Sequence, residues 1–292
     1  MARCLAIIAA LILAPLAGAW AADSNPWSRA GAPTIGAPAA IGSPAKGCLA
    51  GAVALPWDGP GYQVIRLSRR RYFGLPETVD FVRRLGVKAA AAGLPVLYVG
   101  DMAQPRGGPL PFGHASHQTG VDVDIWFTLA PKPTLPPSAR EDVPLPSMLL
   151  ANWRAVDPKV FGERQVTLLR LAATDPRVDR IFVNPVIKAT LCRRLPPRDH
   201  AWLGKLRPWF GHDDHFHVRL TCPPDSPECA RQAAVPPGDG CDATLASWVR
   251  DQRPPDPAAA PPRRSLPVLP AECRAVLALP GAAHFAASTS PP

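Results

Sequence analysis

The sequence concentrates side chains that could bind a metal ion in two short segments, residues 113–127 and 212–220. These side chains are His114, His117, Asp122, Asp124, His212, His215 and His217. Neighbouring imidazoles need partners when they are buried, and histidines clustered beside aspartates are difficult to explain by packing alone. Because imidazole and carboxylate ligands without a thiolate favour Zn²⁺, we expect a zinc site. A purely structural role for the histidines is the alternative.

Both segments have the pattern of a half-buried β-strand. Asp122 and Asp124 alternate with valine and isoleucine in the first segment. His215, His217 and Arg219 alternate with larger apolar residues in the second. Side chains two positions apart share one face of a strand, so each strand is predicted to have an apolar back and a polar front. Two such strands side by side can bring histidine and aspartate side chains together on one face of a sheet, as a zinc site requires.

Three of these residues, His117, Asp124 and His217, are predicted to be the zinc ligands. A catalytic zinc keeps three protein ligands and an open position for a water, whose pKa it lowers while it polarises a substrate carbonyl. His215 lies two residues before His217 on the same strand face. We predict that His215 is the general base, since an imidazole exchanges protons near neutral pH.

The other polar residues near these segments each have two candidate roles. His212 could act in catalysis, by orienting His215 or stabilising a developing oxyanion, or it could be a hydrogen-bonded supporting residue. His114 is either an accessory metal ligand or a support for the ligands, and Asp122 is expected to hydrogen-bond nearby groups. The basic run at residues 68–72 could hold a substrate carboxylate or form a solvated turn.

Composition and the start of the chain predict an exported protein. The 292 residues are 47% hydrophobic, enough for one sizeable core or two small ones. The formal net charge of +9 suits an anionic polymer such as the cell wall, or a solvated surface without a specific partner. Residues 1–21 are predicted to be a cleavable signal peptide, because Arg3 precedes an apolar run at 5–16 that is too short to span a membrane. We therefore expect a periplasmic location, without a nucleic-acid partner or stable membrane insertion.

The number of cysteines is also typical of an exported protein. Beyond the predicted signal peptide there are six, at Cys48, Cys192, Cys222, Cys229, Cys241 and Cys273. An even number in an exported chain indicates three disulfides formed in an oxidising compartment. Spacing leaves the pairing open, with Cys222–Cys229 favoured as a local pair. A thiolate metal site is the alternative, and the lack of a C-x-x-C pair speaks against it.

One domain is expected, at residues 48–275, and it includes a Pro-rich segment at 253–270. Residues 22–47 are rich in Ala, Gly, Pro and Ser, and are predicted to be an extended lead-in without a core of its own. Residues 129–146 contain six prolines and are predicted to be an irregular surface loop. Residues 276–292 are predicted to be a disordered tail.

Local patterns predict the helices and strands that position the two segments. A helix begins at Pro76, whose missing N–H is harmless in a first turn, and ends at Gly93. Further predicted elements are strands at 62–67, 94–99 and 178–183, and helices at 164–173, 185–192, 199–206 and 243–249.

The two segments resemble the signatures of a known group of proteins. Ser116–Asp124 is similar to the first signature of the LAS group, the zinc peptidases related to lysostaphin and the D-alanyl-D-alanine peptidases, together with the hedgehog domain. His215-Phe216-His217 is similar to the second signature, in which the last histidine is a ligand and the first is the general base. Further motifs narrow the resemblance to the penicillin-insensitive murein endopeptidases, over residues 48–273. These motifs are Arg70–Gly74, Gly100–Met102, Gly113–Gly120, Arg180–Pro185, Arg207–Phe210 and Gly238–Cys241.

The resemblance implies an α+β fold, in which a small antiparallel sheet carries the zinc site and helices flank it, as in hedgehog and D,D-peptidase domains. It also implies the disulfides Cys48–Cys273, Cys192–Cys241 and Cys222–Cys229. Members of the family can carry an Asp and a His for a second metal in the loop after the first signature. Residues 151–162 contain Asp157 but no His, so we expect one catalytic zinc ion.

The activity implied by the resemblance is that of a periplasmic zinc endopeptidase, whose partners are the cross-link peptides of peptidoglycan. It would cut the D-alanyl–meso-diaminopimelyl bond, and it would be insensitive to penicillin because no active-site serine is acylated. The alternatives are a zinc D,D-carboxypeptidase that removes a terminal D-alanine, and a non-catalytic, zinc-stabilised module that binds the cell wall. The presence of His215 favours an enzyme over the binding module.

Overall fold

A computed structural model describes residues 25–130, 134–254 and 266–282. The predicted signal peptide and residues 283–292 of the predicted tail lie outside the described residues. Within the described ranges, no helix combines the length and the apolar character that crossing a membrane requires.

The described chain forms eleven strands and five α-helices. The strands are β1 (Ala39–Ser43), β2 (Lys46–Ala50), β3 (Val53–Ala54), β4 (Asp58–Gly59), β5 (Tyr62–Val64), β6 (Phe73–Gly74), β7 (Val96–Val99), β8 (Asp122–Ala130), β9 (Val178–Val183), β10 (Leu206–Pro208) and β11 (His215–Leu220). The helices are α1 (Pro76–Ala91), α2 (Glu163–Ala173), α3 (Pro185–Arg194), α4 (Ala243–Asp251) and α5 (Glu272–Ala278). The prediction of a helix at 199–206 is wrong, because this segment forms two short 3-10 turns at Pro197–Asp199 and Ala201–Lys205.

The central sheet has seven strands in the order β10-β9-β11-β8-β7-β5-β4. The four middle strands, β9, β11, β8 and β7, are antiparallel to one another. The prediction of an α+β fold is confirmed, but a purely antiparallel sheet is wrong, since β10 pairs with β9 and β5 with β7 in parallel. Both parallel pairs follow from crossover connections, through α1 between β5 and β7 and through α3 between β9 and β10.

The back of the sheet forms the hydrophobic core. Val123 and Ile125 of β8 and Phe216 of β11 are fully buried there. Val82 of α1 and Leu168 of α2 belong to the same cluster of buried side chains. Each such side chain stabilises the fold by about 1.5–3 kcal/mol. The apolar residues of the alternating segments therefore hold the sheet on its helices and leave the polar residues on the opposite face.

The ends of α1 agree with the sequence signals. Pro76 occupies the first turn, where the absent N–H removes no helical hydrogen bond. At the other end Gly93 has a left-handed conformation, with φ at +75°. The amide of Leu94 donates a hydrogen bond to the carbonyl of Ala89 across this turn, at 2.9 Å. The helix consequently stops where β7 must begin.

The lead-in is part of the folded structure. β1 pairs with β2 in antiparallel register, with Ile41 opposite Cys48. Trp27 is 4% exposed and packs in a small second cluster with Ile41, Cys48, Cys273 and Val276. Residues 25–47 of the predicted lead-in therefore pack against the rest of the domain. The physical reason is the Cys48–Cys273 disulfide, which holds α5 against β2 and creates an apolar surface for Trp27.

The C-terminal helix α5 extends past residue 275, where the domain was expected to end. α5 continues to Ala278, and its residue Val276 is 4% exposed, so the expected boundary at 275 falls inside a packed helix. Residues 255–265 of the Pro-rich segment lie outside the described residues.

The three implied disulfides are present. Cys48–Cys273, Cys192–Cys241 and Cys222–Cys229 have Cα–Cα distances of 5.7, 5.8 and 5.8 Å, within the usual range. They join α5 to β2, the end of α3 to the segment just before α4, and the two ends of the loop that follows β11.

The predicted surface loop at 129–146 is more ordered than its prolines indicate. β8 extends to Ala130, and Pro137–Arg140 forms a 3-10 turn. The Arg140 side chain is buried and donates hydrogen bonds to the carbonyls of Leu135 and Trp57 and to the carboxylate of Asp58. One buried arginine thus anchors the described part of this loop to the body of the protein.

Candidate metal centre

The pairing of β8 with β11 brings two predicted ligands together. In this antiparallel register His217 lies opposite Asp124, and Arg219 lies opposite Asp122. Directly opposed residues of an antiparallel pair place their side chains on the same face. Asp124 Oδ1 consequently lies 3.4 Å from His217 Nδ1.

His117 reaches the same place from the turn that precedes β8. Its backbone is left-handed, with φ at +66°, which costs a non-glycine residue about 1–3 kcal/mol. The His117 amide donates a hydrogen bond to Asp122 Oδ2 at 3.0 Å. Next to it, the Gln118 side chain donates to the carbonyl of Ala45 and accepts from the amide of Gly47. The β1–β2 hairpin therefore holds this strained turn, and His117 becomes fully buried.

Four side chains form a cluster with the geometry of a metal site. His114, His117, Asp124 and His217 each offer a ligand atom, and these atoms all lie within 4.8 Å of one another. Asp124 is central: its Oδ1 lies 3.3 Å from His117 Nε2, and its Oδ2 lies 3.3 Å from His114 Nε2. Ligand atoms about 2.1 Å from a tetrahedral zinc lie roughly 3.4 Å apart, so these spacings suit such an ion.

The hydrogen bonding of the cluster points to the same conclusion. Both ring nitrogens of His117 and Oδ1 of Asp124 are buried without a hydrogen-bond partner. Nε2 of His215 is also buried without a hydrogen-bond partner. Unpartnered buried polar atoms are rare in folded proteins because each carries a desolvation penalty. Several of them directed at one point fit a cation bound between them, and three imidazoles with a carboxylate are a suitable donor set.

The carboxylate of Asp124 is held in its ionised form. Burial raises its pKa, but the neighbouring His117, His114 and His215 outweigh burial and place the pKa well below its usual value. Asp122 behaves in the same way: burial raises its pKa, and Arg219 and His217 bring it well below the ordinary range. Both side chains can therefore act as anionic ligands or hydrogen-bond acceptors.

The two buried ligand histidines titrate differently. Burial lowers the pKa of His217 to about 4, with His117 adding to that effect while Asp122 opposes it. Burial also lowers the pKa of His117, but Asp124 and Asp122 outweigh it and leave the pKa above 6.5. His217 is thus already in the neutral form that a metal ligand requires, whereas His117 must release a proton when a metal binds.

Asp122 supports the ligands without joining them. Its carboxylate accepts two hydrogen bonds from the Arg219 guanidinium, at 2.7 and 3.0 Å. Its Oδ1 also lies 3.1 Å from His217 Nε2, and its Oδ2 accepts from the His117 amide. It therefore contacts two candidate ligands and agrees with the hydrogen-bonding role expected from its position in the strand.

His215 lies beside the cluster and outside the set of four. Its Nδ1 is 2.5 Å from Oδ1 of Asp214, and its Nε2 lies 3.8 Å from Oδ2 of Asp124. The Trp126 ring lies against the imidazole, with centroids 5.0 Å apart. Burial lowers the pKa of His215, while Asp124 and Asp214 raise it, and the net shift is upward. Asp214 was missed in the sequence, where its only signal is its place immediately before His215.

His212 lies next to His215, with ring centroids 5.0 Å apart. Its Nδ1 is 3.2 Å from the carbonyl of Phe210. Burial lowers the His212 pKa to about 3, and the neighbouring His215 and His217 add to the effect. A neutral ring that donates its Nδ1–H to this carbonyl has only an acceptor at Nε2.

A second residue missed in the sequence, Asp101, connects the basic run to the cluster. Its carboxylate accepts hydrogen bonds from Arg71 at 2.7 Å and from Arg69 at 3.2 Å. Its Oδ2 also lies 3.3 Å from His114 Nε2. Burial raises the Asp101 pKa, but His114 and the two arginines bring it well below the usual value. The loop motif at 100–102 was the only signal for this residue.

Other candidate residues are not brought into the cluster. Among the described residues, His200, Asp239 and Cys241 form a second group with metal-like spacing. Cys241 is disulfide-bonded, and the ring nitrogens of His200 contact Asp239 at 2.7 Å and the carbonyl of Leu195 at 2.9 Å. Asp157 accepts a hydrogen bond from the amide of Lys159 within a turn and belongs to neither group.

Comparisons with known proteins identify the family of the chain. The sequence model of a family described as penicillin-insensitive murein endopeptidase matches residues 40–278. A protein of that name from Yersinia enterocolitica is 43% identical over 281 residues, which cover 96% of this chain and 97% of the relative. One from Haemophilus influenzae is 48% identical over 216 residues, covering 73% of this chain and 74% of the relative. One from Klebsiella pneumoniae is 44% identical over 272 residues, covering 91% and 96%. With a match of this extent, the chain belongs to the family of penicillin-insensitive murein endopeptidases.

Proposed function

We propose that the protein is a periplasmic zinc endopeptidase that hydrolyses the D-alanyl–meso-diaminopimelyl cross-links of peptidoglycan. The observation that carries this proposal is the cluster around Asp124, with His117, His114 and His217 within 3.3–3.4 Å of its oxygens, on a chain of the murein endopeptidase family. Family membership indicates a peptidase that acts on the cell wall. The metal, the bond that is cut and the roles of individual residues are the finer parts of the proposal.

His117, Asp124 and His217 are the proposed zinc ligands, and His114 is an accessory ligand. Zinc is preferred because the donor atoms are imidazole nitrogens and a carboxylate, with the cysteines of the described chain tied up in disulfides. When bound there, zinc supplies a Lewis acid that lowers the pKa of a water and polarises the scissile carbonyl.

His215 is the proposed general base, and Nε2 is its reactive atom. Nδ1 is engaged by Asp214 at 2.5 Å, which leaves Nε2 facing the cluster. The imidazole takes a proton from the attacking water and passes it to the amine that leaves when the peptide bond breaks. Such a proton transfer contributes about 10²–10⁴-fold to the rate.

His212 is assigned a positioning role in this reaction. With Nδ1–H directed at the carbonyl of Phe210, its Nε2 can accept a hydrogen bond but cannot donate one. This favours contact with a proton donor, such as the attacking water or the leaving amine, over stabilisation of an oxyanion. Of the two catalytic roles considered for His212, orientation of the proton-transfer groups is the one that the tautomer supports.

Several features support the periplasm as the location. Three disulfides require an oxidising compartment, and the sequence begins with the pattern of a cleavable signal peptide. The cell-wall substrate of the family lies in the same compartment. Because the attacking group in the proposed reaction is water, the reaction does not depend on a nucleophilic serine that a β-lactam could acylate, which agrees with the name of the family.

Digestion of purified cross-linked muropeptide dimers, analysed by mass spectrometry, tests this function. We expect the zinc-loaded protein to convert dimers to monomers, with the reaction abolished by a chelator and unaffected by penicillin. Loss of only a terminal alanine would replace the proposal with a D,D-carboxypeptidase. Bound zinc without any cleavage would replace it with a wall-binding module.

A further inference from the structure

Three aromatic side chains form an exposed patch next to the metal centre. We call Trp209, Phe210 and Trp248 the aromatic platform. Trp209 is 52% exposed and Phe210 is 45% exposed, and the Trp248 ring lies 6.0 Å from the first and 4.7 Å from the second. Burying a large aromatic side chain stabilises a protein by about 1.5–3 kcal/mol, so an exposed group of them points to a ligand.

The fold presents these rings with defined backbone interactions. The amide of Trp209 donates to the carbonyl of Val183, which continues the pairing of β10 with β9. Gly211 and His212 then adopt left-handed conformations, with φ at +68° and +54°, and turn the chain into the metal centre. Trp248 is brought to the other side by α4, which the Cys192–Cys241 disulfide attaches to α3.

One aromatic ring connects the platform to a candidate metal ligand. The Phe182 ring lies 5.6 Å from Trp209 and 5.3 Å from His217, in edge-to-face contact with both. Phe182 is on β9, next to β11 in the sheet, so the platform continues the polar face of the sheet towards the β10 edge. Among the three platform rings, Trp209 is the one in contact with Phe182, and through it the platform adjoins His217.

We propose that the aromatic platform binds a sugar ring of the peptidoglycan glycan strand while the attached peptide occupies the metal centre. This inference rests on the proposed function. The flat C–H face of a pyranose packs well on an indole ring, whereas the alanine methyl groups and carboxylates of a cross-link peptide offer little flat apolar surface. The two ring-to-ring steps place Trp209 no more than about 11 Å from His217, a distance that about three extended residues can span.

The platform would explain how an enzyme selects cross-links within the polymer. A short peptide alone offers few apolar contacts to the metal centre. A sugar bound on Trp209 adds affinity and fixes the direction in which the peptide enters, so the cut is made at a defined distance from the glycan strand.

Binding of a peptide-free oligosaccharide tests the platform directly. The probe is the tetramer of N-acetylglucosamine, titrated into the zinc-loaded mature protein by calorimetry and tryptophan fluorescence. We expect Trp209→Ala to weaken binding about tenfold and Trp209→Phe, which keeps a ring, to restore most of it. Val87→Ala is the matched control, because Val87 is 51% exposed on α1, behind the sheet, and should bind like the wild type. Absence of binding by the wild type, or equal binding by Trp209→Ala, would overturn the inference.

A second measurement separates this inference from the proposed function. Cleavage rates are compared on intact sacculi and on a synthetic cross-linked peptide without sugars. Trp209→Ala should lower the rate on sacculi about tenfold more than the rate on the sugar-free peptide. A wild type that cuts neither substrate would remove the proposed function, while the oligosaccharide titration would still decide the platform. An equal effect on both substrates would contradict the platform and leave the endopeptidase intact.

Discussion

Oδ1 of Asp122 lies 3.1 Å from Nε2 of His217, so the opposite nitrogen of that ring, Nδ1, faces Asp124 at 3.4 Å. The same carboxylate also accepts a hydrogen bond from the His117 amide and two from Arg219. One side chain outside the proposed ligand set thus contacts both His217 and the backbone of His117, and we expect it to fix which nitrogen His217 offers to a metal. Substitution of a residue that hydrogen-bonds to metal ligands typically lowers metal affinity by about 10–100-fold.

Asp122→Asn should lower zinc affinity by about 10–100-fold, because an amide cannot accept from Arg219, His117 and His217 together. Affinity is measured with a competing chelator on protein whose tertiary circular dichroism is intact, since loss of a buried ion pair also destabilises the fold. Asp80→Asn, at an exposed position on α1, is the matched control and should bind zinc like the wild type. Unchanged affinity in folded Asp122→Asn would show that the carboxylate does not orient the ligands.

His215→Ala should retain zinc and lose about 10²–10⁴-fold in turnover, as expected when a general base is removed. His117→Ala and Asp124→Asn should lose both metal and activity, because the first removes a ligand atom and the second removes the negative charge at the centre of a cluster with 3.3 Å spacing. Metal content by atomic absorption and cleavage of muropeptide dimers are measured on the same preparations. A collapse of zinc content in His215→Ala would make that residue a ligand.

Those parts of the candidate metal centre that depend on a local residue pattern could be predicted from the sequence. Alternation in β8 and β11 predicts that Asp124 and His217 face the same side, and their pairing in the sheet follows from burying the apolar faces. The left-handed turn at His117 could not be predicted, because the contacts that hold it come from the hairpin at residues 39–50. Asp101 reaches His114 only through the tertiary fold, so its role was not visible in the sequence either.

The edges of the sheet were unpredictable for a similar reason. β10 is three residues long, too short for a periodic signal. A strand was predicted at 62–67, where β5 occupies Tyr62–Val64, but the parallel pairing of β5 and β10 depends on how α1 and α3 cross the sheet. The lead-in has the composition of an unstructured segment, yet Trp27 is buried because a disulfide distant in sequence supplies its neighbours. Short-range patterns contain no information on contacts of this kind.

Asp214→Ala should lower kcat about 10–100-fold with little change in KM and no change in zinc content. The carboxylate holds Nδ1 of His215 at 2.5 Å, and without it the ring can rotate or change tautomer, so Nε2 is less often ready to accept a proton. Asp214→Asn, which keeps an acceptor oxygen, should recover part of the loss. The neighbouring Asp213→Ala is the control, because that carboxylate is hydrogen-bonded to Ser147. Equal kinetics for Asp214→Ala and wild type would contradict a positioning role.

Zinc affinity should fall as pH decreases from neutral, by about tenfold per pH unit below the pKa of His117. That pKa is raised above 6.5, so at acidic pH a proton occupies His117 and competes with the metal. His217, with a pKa of about 4, adds a second competing proton only below that value. A competition titration from pH 4.5 to 8 should therefore give a slope of one proton per ion on the acidic side. A slope of two protons would show that His217 is also protonated near neutrality.

Loss of the disulfides should destabilise the fold without releasing zinc first, because the proposed ligands are histidines and a carboxylate. Cys48–Cys273 closes a loop of 225 residues and Cys222–Cys229 one of 7, so chain entropy predicts losses of about 5 and about 2 kcal/mol. Replacing each pair by serine and following thermal unfolding together with zinc release tests both points. The first variant should show the larger fall in Tm, and in each variant zinc should leave in the same transition as the tertiary signal. Zinc released on mild reduction, before any loss of tertiary structure, would indicate thiolate ligation and overturn the ligand assignment.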